Sequence, residues 1–244
     1  MCDVPYRTDA PVLATPISPA AHRMRVFSDS DERTAVELLE RLDDARRRWD
    51  VLNHPFYRRW NQGELLRDEL ARYAGEYRHA VTALADQSAA CAREADPARR
   101  VELAAHAAEE AAHVEMWDDF AHAVGGETDR APLAESAECA EAWTAGDGML
   151  ERLAVLYALE ASQPAIAQTK LDGLVEHYGM AREDDGVAYF RLHAERDHDH
   201  AAHSRAILAA TAREADADRL VELAEAALAG NWKLLDGMET PGGL

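Results

Sequence analysis

Lysine is almost missing from this chain of 244 residues: of 26 basic residues only Lys170 and Lys233 are lysines. Against them stand 46 acidic residues, which leaves a formal charge of −20 at pH 7. Such a surface repels phosphate backbones and anionic bilayers, so neither nucleic acid nor a membrane is an expected partner. The balance resembles that of proteins from salt-adapted cells, where screening makes a large net charge tolerable. Cysteine is scarce too. Cys2, Cys91 and Cys139 are odd in number and fit neither zinc-ligand spacing nor a disulfide framework, which points to a reducing, cytoplasmic setting. No stretch approaches about eighteen uninterrupted apolar residues, and the N-terminus has no apolar segment of signal-peptide type, so a soluble protein is expected. Proline is rare, yet Pro5, Pro11, Pro16 and Pro19 crowd the start. Residues 1–29 are therefore expected to form a flexible leader, and 30–244 a single domain.

Alternating apolar and β-branched runs are absent as well, which excludes a convincing strand and leaves an all-α protein. Helical periodicity predicts a first helix over 31–53, with Val36, Leu38, Leu39, Leu42 and Trp49 near one stripe, interrupted at His54-Pro55. A second ends near Asp96, the cap for a third that starts at Pro97 and stops at Gly125. A short helix at 134–143 precedes a fourth major helix from about 149, kinked at Pro164, and two more over 187–214 and 216–235.

What the chain does have is a pattern of metal-binding side chains. His193, Asp197 and His200 form HxxxDxxH within a predicted helix, and residues four and seven apart on a helix lie on one face. In the third helix Glu110 and His113 stand at i, i+3, with Glu109 an alternative at i, i+4. Glu160 lies in AVLYALEASQPA among apolar neighbours. Burying one such charge costs several kcal/mol, against a total stability of about 5–15 kcal/mol, so it calls for a compensating cation or a dense hydrogen-bond network. Carboxylates and imidazoles on facing helices of a bundle are the donor set of a two-metal centre. Mixed nitrogen and oxygen donors favour iron or manganese over calcium or magnesium, and without cysteine a structural zinc is disfavoured.

With these residues in place, the chain resembles the heme-oxygenase-like di-metal oxidases, whose multi-helical bundle is shared with pyrroloquinoline-quinone synthase and thiaminase II. It is similar in particular to the chlamydial death-domain-associating protein family, which makes para-aminobenzoate for folate. The likeness spans about residues 50 to 210, through HPFYRRWNQGEL, YAGEY, HVEMWDDFAHAVGG, LYALEASQPAIAQTKLDGLVEHYG and YFRLHAERDHDH. The resemblance implies that His113, Glu160, His193, Asp197 and His200 are metal ligands. Glu110 is the favoured sixth, with Glu109 and His106 as alternatives; His106 lies seven residues before His113. It further implies that Tyr57 supplies an aromatic ring and Lys170 an amino group, with Tyr73 and Tyr77 relaying electrons or orienting the ring. One departure is Leu159, where the family has a tyrosine, which leaves a relay through that position without its residue.

The implied activity is a di-metal oxidase that uses Fe(II)/Fe(III), with manganese as an option, together with dioxygen and an external reductant. Its aromatic substrate would be self-derived or a small molecule, and the assembly a homodimer. The alternatives are a di-iron oxygenase acting on an external small acid or amino acid, a cofactorless relative of pyrroloquinoline-quinone synthase, and a non-catalytic metal-storage or interaction protein.

Overall fold

The computed structural model describes residues 29–240, and every regular element among them is helical. The expected leader, with Cys2, lies outside the described residues except for Asp29, which opens the first helix. That helix, α1 (Asp29–Arg48), turns Leu38, Leu39, Leu42 and Ala45 inward, while Val36 is exposed rather than part of the stripe. It ends sooner than its periodicity predicts. The Asp50 side chain accepts the Leu52 N–H at 3.1 Å and opens a 3-10 turn at Val51–Asn53. His54 then caps α2 (Pro55–Asn61): its Nδ1 accepts the Phe56 N–H at 3.1 Å, while Nε2 lies 3.1 Å from the Asp236 carboxylate. This short helix, absent from the sequence reading, buries Phe56, Tyr57 and Trp60.

Helices α3 (Arg67–Glu94) and α4 (Arg100–Val124) pack along each other. Asp96 caps the turn between them, accepting the N–H groups of Ala98 and Arg99 at 2.9 and 3.2 Å. Gly125 closes α4 with a left-handed φ of 80°, a conformation that glycine adopts without steric cost. Next, α5 (Ala134–Trp143) is pinned to α3 by the buried Glu76 carboxylate, which accepts the Leu133 N–H at 2.9 Å and the Ser136 hydroxyl at 2.7 Å.

The predicted kinked fourth helix is two helices, α6 (Gly148–Glu160) and α7 (Gln163–His177). Pro164 stands in the first turn of α7, where its missing N–H has no helical partner to lose, so the chain breaks at Ala161 and Ser162 instead of bending at the proline. Arg46 of α1 stitches the break, donating to the Ala161 carbonyl at 2.6 Å and to Ser162 Oγ at 3.2 Å. Glu160 is thereby the last residue of a clamped helix. Against α2, α7 runs close because residue 173 is glycine: a Cβ there would meet the Trp60 indole at 2.5 Å. The same indole donates to the Lys170 carbonyl at 3.2 Å.

A 3-10 turn at Asp185–Val187 leads to α8 (Ala188–Thr211) and α9 (Glu214–Glu239), the latter longer at both ends than predicted. Helix α8 contacts α4, α6 and α7, and α9 contacts α1, α5 and α6. No described helix is long and apolar enough to cross a membrane.

Candidate metal centre

Helix α4 buries Leu103, His106, Glu110, His113, Trp117 and Phe120, a stripe at helical spacing whose middle three members are polar. The stripe faces α8, where His193 and Asp197 are buried one turn apart and His200 sits at the rim with 16% of its side chain exposed. From α6 the buried Glu160 completes the cluster. His106 Nε2 lies 3.0 Å from Glu160 Oε1 and 3.6 Å from Glu110 Oε1, while His113 Nδ1 lies 3.2 Å from Glu110 Oε2. Two sets of ligand atoms each fall within 4.8 Å of one another: those of His106, Glu110 and His200, and those of Glu110, His113 and His193. Glu110 belongs to both. Glu160 joins through His106, and Asp197 lies between the two histidines of α8 but in neither set.

Whether these residues fit a cation is decided by where their lone pairs go. Among the described residues, His106 Nε2, His113 Nδ1, His193 Nε2, His200 Nδ1 and both Glu160 oxygens are buried without a hydrogen-bond partner, despite those short separations. Buried polar atoms without partners are rare, because each forfeits its hydration. A group of them converging on a common volume is the arrangement that metal ions fill. The outer nitrogens behave as ligating histidines require. His193 Nδ1 donates to the Tyr189 carbonyl at 2.7 Å, and His200 Nε2 faces Glu109 Oε2 at 3.2 Å, which fixes each ring and leaves its other nitrogen inward. Glu109, with 45% of its side chain exposed, thus orients a histidine and is not inside the cluster.

Without a cation, protons have to balance the charges. Burial opposes a charge on His106, but the adjacent Glu110 and Glu160 outweigh it and lift the imidazole to about 10. Glu110, which burial alone would favour as the neutral acid, is held well below the carboxylate range by His106 and His113. Burial, reinforced by Glu110 and Glu160, pushes Asp197 up to about 9, and burial lowers His193 to about 4.

Beside the cluster lies an aromatic core. Tyr189 stacks on His193 with ring centroids 3.9 Å apart, and Trp117 sits 5.0 Å from both Tyr189 and Tyr77. Tyr77 then packs 5.2 Å from Tyr73, whose hydroxyl is 2.9 Å from that of Tyr57. Burial, above all, raises all four tyrosine hydroxyls above their ordinary value of 10. Lys170 is 1% exposed and points its Nζ into this core, 4.4 Å from the Tyr77 ring centroid and 5.5 Å from that of Tyr57. It makes no side-chain hydrogen bond or ion pair among the described residues, and burial lowers it to about 7.

All the residues singled out from the sequence are therefore drawn into one region: Glu110, His113, Glu160, His193, Asp197 and His200 around the cluster, and Tyr57, Tyr73, Tyr77 and Lys170 in the adjoining core. Sequence reasoning passed over Tyr189 and Trp117. Each lies four residues from a histidine of the cluster, Tyr189 before His193 and Trp117 after His113, a spacing that puts it on the same helix face.

The chain is similar to known proteins in sequence and in fold. The family described as iron-containing redox enzymes matches residues 71–233. A 4-aminobenzoate synthase of Chlamydia trachomatis serovar D is 30% identical over 219 residues, covering 85% of this chain and 94% of the relative. A 4-aminobenzoate synthase of Nitrosomonas europaea is 28% identical over 222 residues, covering 82% and 89%. Among solved structures, a TenA homologue of Pseudomonas syringae aligns with a TM-score of 0.73 at 15% identity, over 85% of this chain and 93% of that one. A domain with a heme oxygenase-like fold from Shewanella denitrificans aligns with a TM-score of 0.70 at 20% identity, over 84% and 91%.

Proposed function

This chain belongs to the family of iron-containing redox enzymes, and from that premise we propose that it is a di-iron oxidase forming 4-aminobenzoate, a folate precursor, from its own Tyr57. Its names come from relatives such as the chlamydial 4-aminobenzoate synthases, and the observation that carries it to this chain is internal. A phenol and an amine without a hydrogen bond or ion pair are buried together, and a series of packed aromatic rings links them to His193.

In this reading Glu110, His113, Glu160, His193, Asp197 and His200 would hold the iron. Iron held there would supply dioxygen activation, with electrons from an external reductant. The chain's own residues do the rest. Tyr57 lies edge-on to Phe56, with Trp60 tilted beside it, and these neighbours exclude water from the ring to be oxidised. Its hydroxyl shares a hydrogen bond of 2.9 Å with that of Tyr73, which fixes the orientation of the phenol ring. Tyr73, Tyr77, Trp117 and Tyr189 offer a path for an electron toward His193. Lys170, lowered to about 7, holds a substantial share of its amine in the neutral form near pH 7, so a lone pair is available for nitrogen donation. An arginine could not serve, because a guanidinium does not lose its proton.

The test uses purified, iron-loaded full-length protein given reductant and oxygen with no added aromatic compound. The expected result is 4-aminobenzoate at no more than about one per chain, with an intact-mass loss that peptide mapping localises to residue 57. Tyr57→Phe should give no product, and wild-type yield from that variant would sink the self-derived substrate.

A further inference from the structure

We propose that His106 is itself a metal ligand, a seventh donor that completes the second ion position with His200, Glu160 and the shared Glu110. The proposal rests on the two-ion reading above and adds a residue outside its ligand set.

His106 stands one turn before Glu110 and two before His113, so the three side chains leave α4 on one face. Its ring packs 4.1 Å from that of His200, and its Nε2 lies between a carboxylate oxygen of Glu160 at 3.0 Å and one of Glu110 at 3.6 Å. A first-row cation sits about 2.0–2.2 Å from nitrogen and oxygen donors, which puts neighbouring donor atoms about 3–3.5 Å apart. The observed separations are of that size. An ion pair with Glu160 is the competing account, but it occupies one Glu160 oxygen and leaves Glu160 Oε2 and His200 Nδ1 buried without partners. More donor atoms converge there than one ion pair can use, since those of His106, Glu110 and His200 lie within 4.8 Å of one another, and a common ion accounts for all of them.

The assignment changes the chemistry of the site. With His106 included, each ion position has two imidazoles: His113 and His193 at one, His106 and His200 at the other, with Glu110 between. Without it the second position holds one imidazole and is dominated by carboxylates, donors that suit manganese. His106 thus biases the second position toward iron, giving two iron ions instead of an iron–manganese pair.

Chelator-stripped full-length protein is titrated anaerobically with Fe(II), alone and against Mn(II), and metal content is measured after desalting; Co(II) serves as an optical probe. Wild type should retain about two ions per chain. His106→Gln should retain about one, with the second bound at least about 10-fold more weakly. His106→Glu should restore about two, shift the Co(II) bands to longer wavelength and admit more Mn(II) at the second position. If His106→Gln loses its helical circular dichroism, His106→Glu decides alone by these last two readouts. Wild-type stoichiometry, affinity and spectrum in every folded His106 variant would overturn the assignment and leave the two-ion reading standing. Fewer than about two ions in wild type would overturn both.

Discussion

A buried ammonium with no counter-charge is unstable relative to the neutral amine, and Lys170, lowered to about 7 by burial, folds at the expense of its proton. Between that value and the ordinary one of 10.5, the unfolded chain binds a proton that the folded chain does not. Stability therefore rises with pH across this window, and the penalty is fully present below it. Lys170→Met removes the penalty. The variant should be more stable than wild type by several kcal/mol at pH 6, with the advantage shrinking by about 1.4 kcal/mol per pH unit from about pH 7 to 10. Urea unfolding of both proteins at a series of pH values checks this, and a pH-independent difference would show that the amine is charged in the fold. Residue-scale legibility was uneven for a physical reason. HxxxDxxH fixes its own face, so His193, Asp197 and His200 were readable at once. Glu109 and Glu110 both lie within a turn of His113, and spacing from that histidine alone cannot choose between them. The choice is made by the rotation of α4, whose buried Leu103, Trp117 and Phe120 share a phase with His106 and Glu110 but not with Glu109. That phase was in the sequence, carried by the apolar residues and not by the polar ones.

At the scale of elements, the site depends on where α6 stops and how closely α7 approaches α2. Glycine inside an exposed helix is normally worth replacing, since alanine gains about 1 kcal/mol in propensity. Gly173 should behave oppositely. An added methyl would meet the indole of Trp60, which is fully buried and hydrogen-bonded to α7 itself, so neither side can yield freely. Overpacking costs about 1–3 kcal/mol, and Gly173→Ala is expected to lower the unfolding free energy on balance, measurable by urea denaturation. A stabilised variant would mean that α7 slides without penalty. Most helices were legible from periodicity and end signals: Gly125 stands where a stop was read and α5 spans 134–143 as predicted, whereas Asp96 caps a turn at 97–99 and α4 itself begins only at Arg100. The exceptions were decided by side chains acting across the chain. Pro164 starts a helix instead of bending one because Arg46, far away in sequence, satisfies the groups left at the break. The seven-residue α2 is too short to show a period and depends on the His54 cap and its Asp236 partner.

For the whole molecule, the excess of acid over base sets how it responds to salt. Individual ion pairs such as Arg78 with Asp118 at 2.5 Å and Arg59 with Glu69 at 2.6 Å weaken on screening, but partly exposed pairs contribute at most about 1 kcal/mol each. A charge of −20 repels itself over the whole surface. Raising salt from about 10 to about 150 mM shortens the screening length from about 30 to about 8 Å, less than the width of the domain. Self-repulsion should dominate, and thermal melts in potassium chloride are expected to show the midpoint rising by several degrees, about 2–4 °C for each kcal/mol relieved. A falling midpoint would mean that ion pairs outweigh the field.

The stretch matched by the broad redox family, 71–233, contains every side chain of the ion cluster, whereas Arg46 and Tyr57 lie upstream of it. The cluster and Tyr57 thus lie on opposite sides of residue 71, and Arg46 of the upstream tract braces the end of α6 through the stitch at Ala161 and Ser162. A change at residue 57 would therefore leave every side chain of the cluster in place.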